Sequence, residues 1–430
     1  MFSEFKSLAK TLSYQFSNGS SFIFYGLAFF CSGITPFILL PILTSELSVK
    51  EFGELSLFLI LVPILSSIVR FSSDGYISIS YFKNSKKEFP KIFNNSYFFL
   101  TSMHSVILLC LLIFNIFIES EYDRIIFLSF FGVTASLFLC LNFNFLAFFQ
   151  SSNNPKIYFI IRFILMVIDV FICLLGIYFL KIDIFARLIS YTLSFIIAVL
   201  IGSFFYKKIS NNTLQLKYNK RIMNRFLLFG LKLSPHVSIG MLSVYIDRIF
   251  ISSMLGVEKF GIYSLAAQIG MLMVAINEPI NKAFSPWFYK KISSESYNDK
   301  LLIIRFTYLI YLVLIIFGVL MLFISLAFFD MFIDEKFASS KKLIPFFILG
   351  YIFNGMYYTV INYLIFFEKT GKLSLITFCT TCTGLLITLL LITKYKMMGG
   401  AYAFTINSAI LFSVILYFSS KEVKMPWFLR

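Results

Sequence analysis

The sequence predicts an all-α polytopic membrane protein, with twelve transmembrane helices in two pseudo-symmetric six-helix lobes around a central cavity. Three observations predict it. Apolar residues make up 59% of the chain, charged residues only 13%, and 57 residues are Phe, far outside the range of water-soluble domains. Nearly charge-free runs, long enough to span ~30 Å of hydrocarbon, recur from end to end. Finally, Ser45-x-Leu47-x-Val49-x-x-Phe52-Gly53-x-x-Ser56-Leu57 returns as Ser253-x-Leu255-x-Val257-x-x-Phe260-Gly261-x-x-Ser264-Leu265. The offset is constant, from Ser45 to Ser253, and close to half the chain.

The spans run 20–43, 54–82, 94–118, 125–149, 157–180, 184–206, 226–255, 260–289, 302–329, 343–366, 373–393 and 400–420. The first 19 residues lack the compact apolar core and small-residue site of a cleavable signal. Phe2, Phe5, Leu8, Leu12 and Phe16 instead predict a short amphipathic helix on the membrane surface. The net charge of +16 is a topology signal rather than a sign of nucleic acid. With a cytoplasmic N-terminus, 22 of the 37 Lys/Arg lie in cytoplasmic segments, nine lie opposite and six lie within spans. That places both termini in the cytoplasm; Lys394 and Lys396 are the one loop against it.

In chain order, span one carries Pro36 and Pro41, which remove backbone donors and predict a bend or break. Span two is long and contains Pro63, Ser67, Arg70 and Asp74. Span three holds His104, with no evident partner. Span five places Arg162 and Asp169 on one helical face, where they are expected to pair. Arg187, near the end of span six, is expected to snorkel. The polar stretch 207–225 is the clearest boundary. It separates an N-terminal lobe (1–206) from a C-terminal lobe (226–430), as a cytoplasmic linker between parallel repeats. Spans seven and eight meet at a short turn, 255–261, and spans nine to twelve are largely apolar. All six cysteines lie in spans, and Cys379-Thr-Thr-Cys382 reads as helix packing rather than a metal site.

The mechanism-bearing residues concentrate between 226 and 292. Each ionisable group at bilayer depth costs about 2.5–3.5 kcal/mol, so this density requires a watery route. On span eight, Ser264, Gln268, Met271, Ala275, Glu278 and Lys282 share one face, with Asn277 beside them. The repeat maps Arg70 onto Glu278 and Asp74 onto Lys282, about 25–30 Å below the outer turn. Cross-pairing of these charges would make a cytoplasmic gate; the alternative is neutralisation within each helix at i,i+4. On span seven, Lys232, His236, Gly240, Ser243 and Asp247 share a face. Lys232 suits either an anionic head group or snorkelling; His236 suits either proton coupling or a packed, hydrogen-bonded role. Asp247 and Arg248 form either a coupling-ion or ligand site or a buried structural pair. Six cations against four acids within the spans favour an anionic ligand such as a phosphate or pyrophosphate.

The turn at 253–264 with Asp247-Arg248 before it, Pro286-Trp287-Phe288-Tyr289 after it, and the later Gly350-Tyr351, Lys369-Thr370 and Gly399-Gly400-Ala401 carry a resemblance. Over essentially its full length the chain resembles the Wzx-type polysaccharide (O-antigen) flippases of the MOP exporter superfamily. That resemblance implies flipping of an undecaprenyl-pyrophosphate-linked oligosaccharide across the bacterial inner (cytoplasmic) membrane by alternating access, with spans one, two, seven and eight lining the cavity. With the helical faces described above, the substrate or cavity candidates are Arg70, Lys232, Arg248, Gln268, Asn277 and Lys282, and the candidates for gating or ion coupling are Asp74, His236, Asp247 and Glu278. Membrane lipids, a proton or sodium gradient, and the polysaccharide polymerase with its chain-length machinery are the implied partners; no cofactor, metal or nucleic acid is. The runner-up is a MATE-like multidrug/ion antiporter of the same fold, which would favour an acidic cavity. A membrane-embedded polymerase or acyltransferase has little scaffold here, with two histidines in spans and no long outer loop. No G-x-x-x-x-G-K-[ST] loop occurs, so ATP is not the direct driver.

Overall fold

The computed structural model describes residues 19–85, 87–116, 123–294, 296–367, 369–422 and 425–427. The amphipathic segment expected over the first residues lies outside them. Among the described residues no strand occurs, and eleven helices are long and apolar enough to cross a membrane. The last, Gly371–Glu422, is broken at Lys396 (φ 56°, ψ −132°), and its two arms complete the twelve expected crossings. Gly399 makes that reversal: a Cβ there would lie 1.9 Å from the carbonyl oxygen of Leu391.

In order, α1 is Gly19–Glu46, α2 Val49–Val69, α3 Ser73–Lys83, α4 Phe89–Ile116, α5 Asp123–Ser151, α6 Pro155–Leu175 and α7 Asp183–Ser210. Then come α8 Lys220–Leu255, α9 Val257–Gly270, α10 Val274–Ile292, α11 Tyr297–Phe332, α12 Ile344–Phe366 and α13 Thr370–Glu422. Local chemistry sets the ends. Ser48 and Glu51 form a reciprocal cap at α2: Ser48 N and Oγ donate to Glu51 Oε2 (3.0 and 2.8 Å), and Glu51 N donates to Ser48 Oγ at 3.2 Å. Pro155 opens α6 at the position where its missing donor costs nothing. The turn before α9 is shorter than expected, Gly256 alone at φ +87°, because 257–261 is already helical.

Breaks fall elsewhere than between the spans' prolines. α1 runs unbroken through Pro36 and Pro41. Span two breaks instead between α2 and α3, where Phe71 (φ 52°) and Ser72 (φ 56°) take left-handed backbone. For a bulky residue that conformation is an outlier costing about 1–3 kcal/mol, so surrounding packing must hold it. The Phe71 ring lies against Phe99, Phe226 and Gly230, where a Cβ would sit 2.0 Å from Phe71 Cδ1.

The chain forms two compact units, each discontinuous in sequence: Met1–Leu39 with Glu54–Leu242, and Leu40–Gly53 with Ser243–Arg430. Residues 226–242 thus fall in the first unit, and 40–53 in the second. Local contacts explain the first assignment. Phe226 packs on Tyr76 and Phe99, Ser238 Oγ donates to Ser67 O (3.3 Å), and the linker is pinned to α4. There Gln215 N donates to Asn94 Oδ1 (3.3 Å) and Asn219 N to Asn95 Oδ1 (2.8 Å). The first unit's core is aromatic, with Phe89, Phe93, Phe145, Phe148 and Phe149 buried around Tyr206, whose ring stacks on Phe93 at 4.4 Å. The second unit's core includes Val360, Leu364, Leu373, Ile376 and Ile415.

Candidate functional site

The charged residues sort by depth. In the half of α8 nearest Gly256 they are buried. Asp247 and Arg248 on α8 are 3% and 4% exposed, which sets aside any reading of Arg248 as an open cavity cation in this conformation. Asp247 Oδ2 accepts from Tyr263 OH at 2.5 Å, and the Arg248 guanidinium lies 5.0 Å from the Tyr245 ring centroid. Asp247 Oδ1 and Arg248 Nε and Nη2 have no hydrogen-bond partner among the described residues. Tyr263 is the residue that the sequence reading missed. Its signal was in the hairpin: Asp247 lies nine residues before Gly256 and Tyr263 seven after, so antiparallel helices bring them to similar depth.

Arg187 does not snorkel. It is buried and pairs with Asp169, whose Oδ1 also accepts from Ser190 Oγ at 2.9 Å. Arg162 is not the partner of Asp169: two turns along one helix separate their backbones by ~10 Å, whereas α7 packs alongside α6. His104 also has partners, Leu100 O (2.7 Å) at Nδ1 and Ser136 Oγ (3.0 Å) at Nε2. Asn277 is buried, donates Nδ2 to Tyr351 O at 2.7 Å, and so packs α10 on α12 rather than facing an opening. Gln268 is half-buried.

Towards the other end the picture reverses. Lys232 is exposed, and the side chains of Lys282, Glu278, Asp74 and Arg70 are 58%, 37%, 33% and 14% exposed. Each acid meets the base one turn away on its own chain segment: Arg70 Nε–Asp74 Oδ1 at 3.4 Å and Lys282 Nζ–Glu278 Oε2 at 3.9 Å. Arg70 also lies 4.5 Å from the Phe143 ring centroid. The shared face of α8 is split accordingly. Ser243 bonds Thr381 Oγ1 (2.7 Å) and Asp247 is packed, while nothing lies within 4 Å of a Cβ at Gly240 and Lys232 is open. The His236 side chain lies outside the described residues. The span-eight stripe is likewise buried at Ser264 and exposed at Ala275 and Lys282, the 3₁₀ turn Met271–Met273 shifting its phase between. Among the described residues no cluster of His, Cys, Asp and Glu suits a metal ion.

Residues 19–291 match the family model described as polysaccharide biosynthesis protein. The chain belongs to that family. Among curated relatives of this family member is a protein of the Lsg locus of Haemophilus influenzae, 24% identical over 402 residues, covering 91% of this chain and 96% of the relative. An uncharacterized membrane protein of the same organism is 25% identical over 364 residues, 82% and 84% of the two chains. Among solved structures, the lipid II flippase MurJ in an inward closed conformation superposes with a TM-score of 0.68 at 16% identity, over 93% and 87% of the chains. An outward-facing multidrug-resistance MATE transporter of the MOP superfamily gives 0.68 at 10% identity, over 94% of each. The family member therefore has the two-lobed fold of the MOP transporters and is a multi-pass membrane protein.

Proposed function

We infer that this polysaccharide biosynthesis family member is a flippase. It moves an undecaprenyl-pyrophosphate-linked oligosaccharide, the repeat unit of an O-antigen or a related surface polysaccharide, across the bacterial inner membrane by alternating access. The observation that carries the reading is the family match across 19–291, joined to likeness with a structure named as a lipid II flippase. The surplus of cations over acids within the spans supports an anionic head group. Lys232 and Lys282, both exposed on helices long enough to cross a membrane, are the groups assigned to attract it, together with Arg70. The basic bias of the even-numbered loops supports both termini being cytoplasmic. A proton or sodium gradient is the assigned driver, and a polysaccharide polymerase the assigned recipient of the product.

The multidrug antiporter reading is favoured by one observation, the equal TM-score to a MATE transporter. Dye efflux from cells expressing the protein separates the two. The direct test is deletion in the native host. Build-up of the lipid-linked oligosaccharide in the cytoplasmic leaflet, with its synthesis intact, is the expected result; normal surface glycan would overturn the reading.

A further inference from the structure

Beside the Glu278–Lys282 pair, α10 carries a polar network that extends onto α12, all of it within the second unit. At 3.6 residues per turn, Glu278, Asn281, Lys282, Ser285 and Tyr289 fall within about 100° of one face of α10. That face meets α12 at Asn362, which is buried and held at both ends of its carboxamide. Tyr289 OH donates to Asn362 Oδ1 (2.9 Å), and Asn362 Nδ2 donates to Tyr358 O (2.8 Å). A backbone carbonyl only accepts, so this carboxamide has one orientation. Its second N–H then reaches Asn281 Oδ1 at 3.4 Å, to which Ser285 Oγ also donates (3.0 Å). The orientation of Asn281 follows, because reversing it would set one amide donor against another.

What the network leaves over is specific. Asn281 Nδ2 has no partner among the described residues, and Asn281, Ser285 and Tyr289 are half-buried rather than enclosed. Tyr289 spends its proton on Asn362, so its oxygen is open as an acceptor. Hydrocarbon would leave the Asn281 donors unmade, so water or a ligand reaches this face. Beside it the half-buried Tyr289 and Phe366 rings lie nearly parallel, at 21° with centroids 5.8 Å apart, an offset arrangement that leaves part of each face uncovered. Amide donors, a phenol acceptor and ring faces together suit a pyranose. Its hydroxyls pair with the polar atoms, and its weakly positive C–H face lies on the negative face of a ring. A bare phosphate would use only the donors. Lys282, next in the chain to Asn281, supplies a cation for a phosphate joined to that sugar.

We propose that Asn281, Tyr289 and Phe366 form a subsite for the first sugar of the lipid-linked oligosaccharide, with Lys282 beside it for the pyrophosphate. This rests on the substrate class inferred above and adds the atoms that recognise its sugar. The test measures binding to full-length protein in lipid nanodiscs by calorimetry. The probes are farnesyl pyrophosphate, bare or bearing one glucose, galactose, N-acetylglucosamine or N-acetylgalactosamine. At least one glycosylated probe should bind about tenfold tighter than the bare lipid. Asn281→Leu and Tyr289→Phe should each cut that preference about threefold. Lys282→Gln should weaken every probe, the bare lipid included. Equal affinity for bare and glycosylated probes overturns the subsite while the pyrophosphate reading stands. A preference that both Asn281→Leu and Tyr289→Phe leave intact also overturns it, as when the rings only anchor the protein at the membrane interface. If Asn281→Leu fails to accumulate, Tyr289→Phe decides: a reduced preference supports the subsite and an unchanged one overturns it. Binding of no probe at all overturns the subsite and the pyrophosphate reading together.

Discussion

The two ends of the repeated hairpin differ in what the duplication has kept. At the turn end the copies have identical key residues, Val49/Val257, Gly53/Gly261 and Ser56/Ser264, and the contact between them is reciprocal. Towards the other end the copies have diverged: Arg70 and Asp74 stand where Glu278 and Lys282 stand in the second. Backbone follows sequence. The first copy breaks at Phe71–Ser72, whereas the second tightens to 3₁₀ at Met271–Met273 and then continues as α10. Symmetric residues suit a contact that the two copies of the motif make within one unit, and asymmetric charges suit a surface that meets an asymmetric ligand. Burial divides the same way, with Asp169, Arg187, Asp247 and Arg248 enclosed but Lys232, Glu278 and Lys282 open.

The sharpest test of that division is to break an enclosed pair. Asp169→Ala leaves the Arg187 guanidinium buried without its carboxylate, and the expected loss is about 3–5 kcal/mol of stability. The loss should appear as a fall in the unfolding midpoint of the purified protein in detergent. Asp169→Leu with Arg187→Met should recover most of it, because two apolar side chains remove the uncompensated charge. Next in size is the strained break of span two. Gly230→Ala drives a methyl into the Phe71 ring and carbonyl and should cost about 1–3 kcal/mol. The combination with Phe71→Leu should cost less than the sum of the two, measured by the same midpoints. Tyr263→Phe removes the donor to Asp247 and should cost about 1.5–3 kcal/mol, leaving labelling of exposed Lys232→Cys unchanged.

Much of this fold was legible in the sequence, for a physical reason. Spans follow from apolar runs, and the repeat from a motif whose glycines the close crossing requires. Hydropathy carries no record of partner choice. Periodicity could pair Asp169 only with Arg162 on its own helix, and it took the packing of α7 on α6 to supply Arg187. Nor does Phe71 announce a left-handed turn, because that conformation is imposed by Gly230 and the rings around it. The site was legible by type but not by state. Arg248 and Asn277 were expected in the cavity, yet both are buried here, and Asn277 bonds Tyr351 O.

The smallest effect on stability is expected at the open end, and there the effect on transport should be largest. The Lys282–Glu278 pair is partly solvent-exposed, so its removal should change stability by no more than about 1 kcal/mol. Lys282→Gln should therefore unfold like the parent while slowing movement of a pyrophosphate-linked oligosaccharide in proteoliposomes. Each of these charges has two candidate partners, the i,i+4 neighbour that it holds here and its counterpart under the duplication. Arg70→Glu should impair transport under both assignments, because it places two acids one turn apart. Adding Glu278→Arg restores an opposite charge only for the counterpart assignment; within α10 it sets two cations side by side. Recovery of flipping in the double variant would establish exchange between the copies. A further loss would leave each pair as local neutralisation, and the asymmetry would then serve the ligand alone.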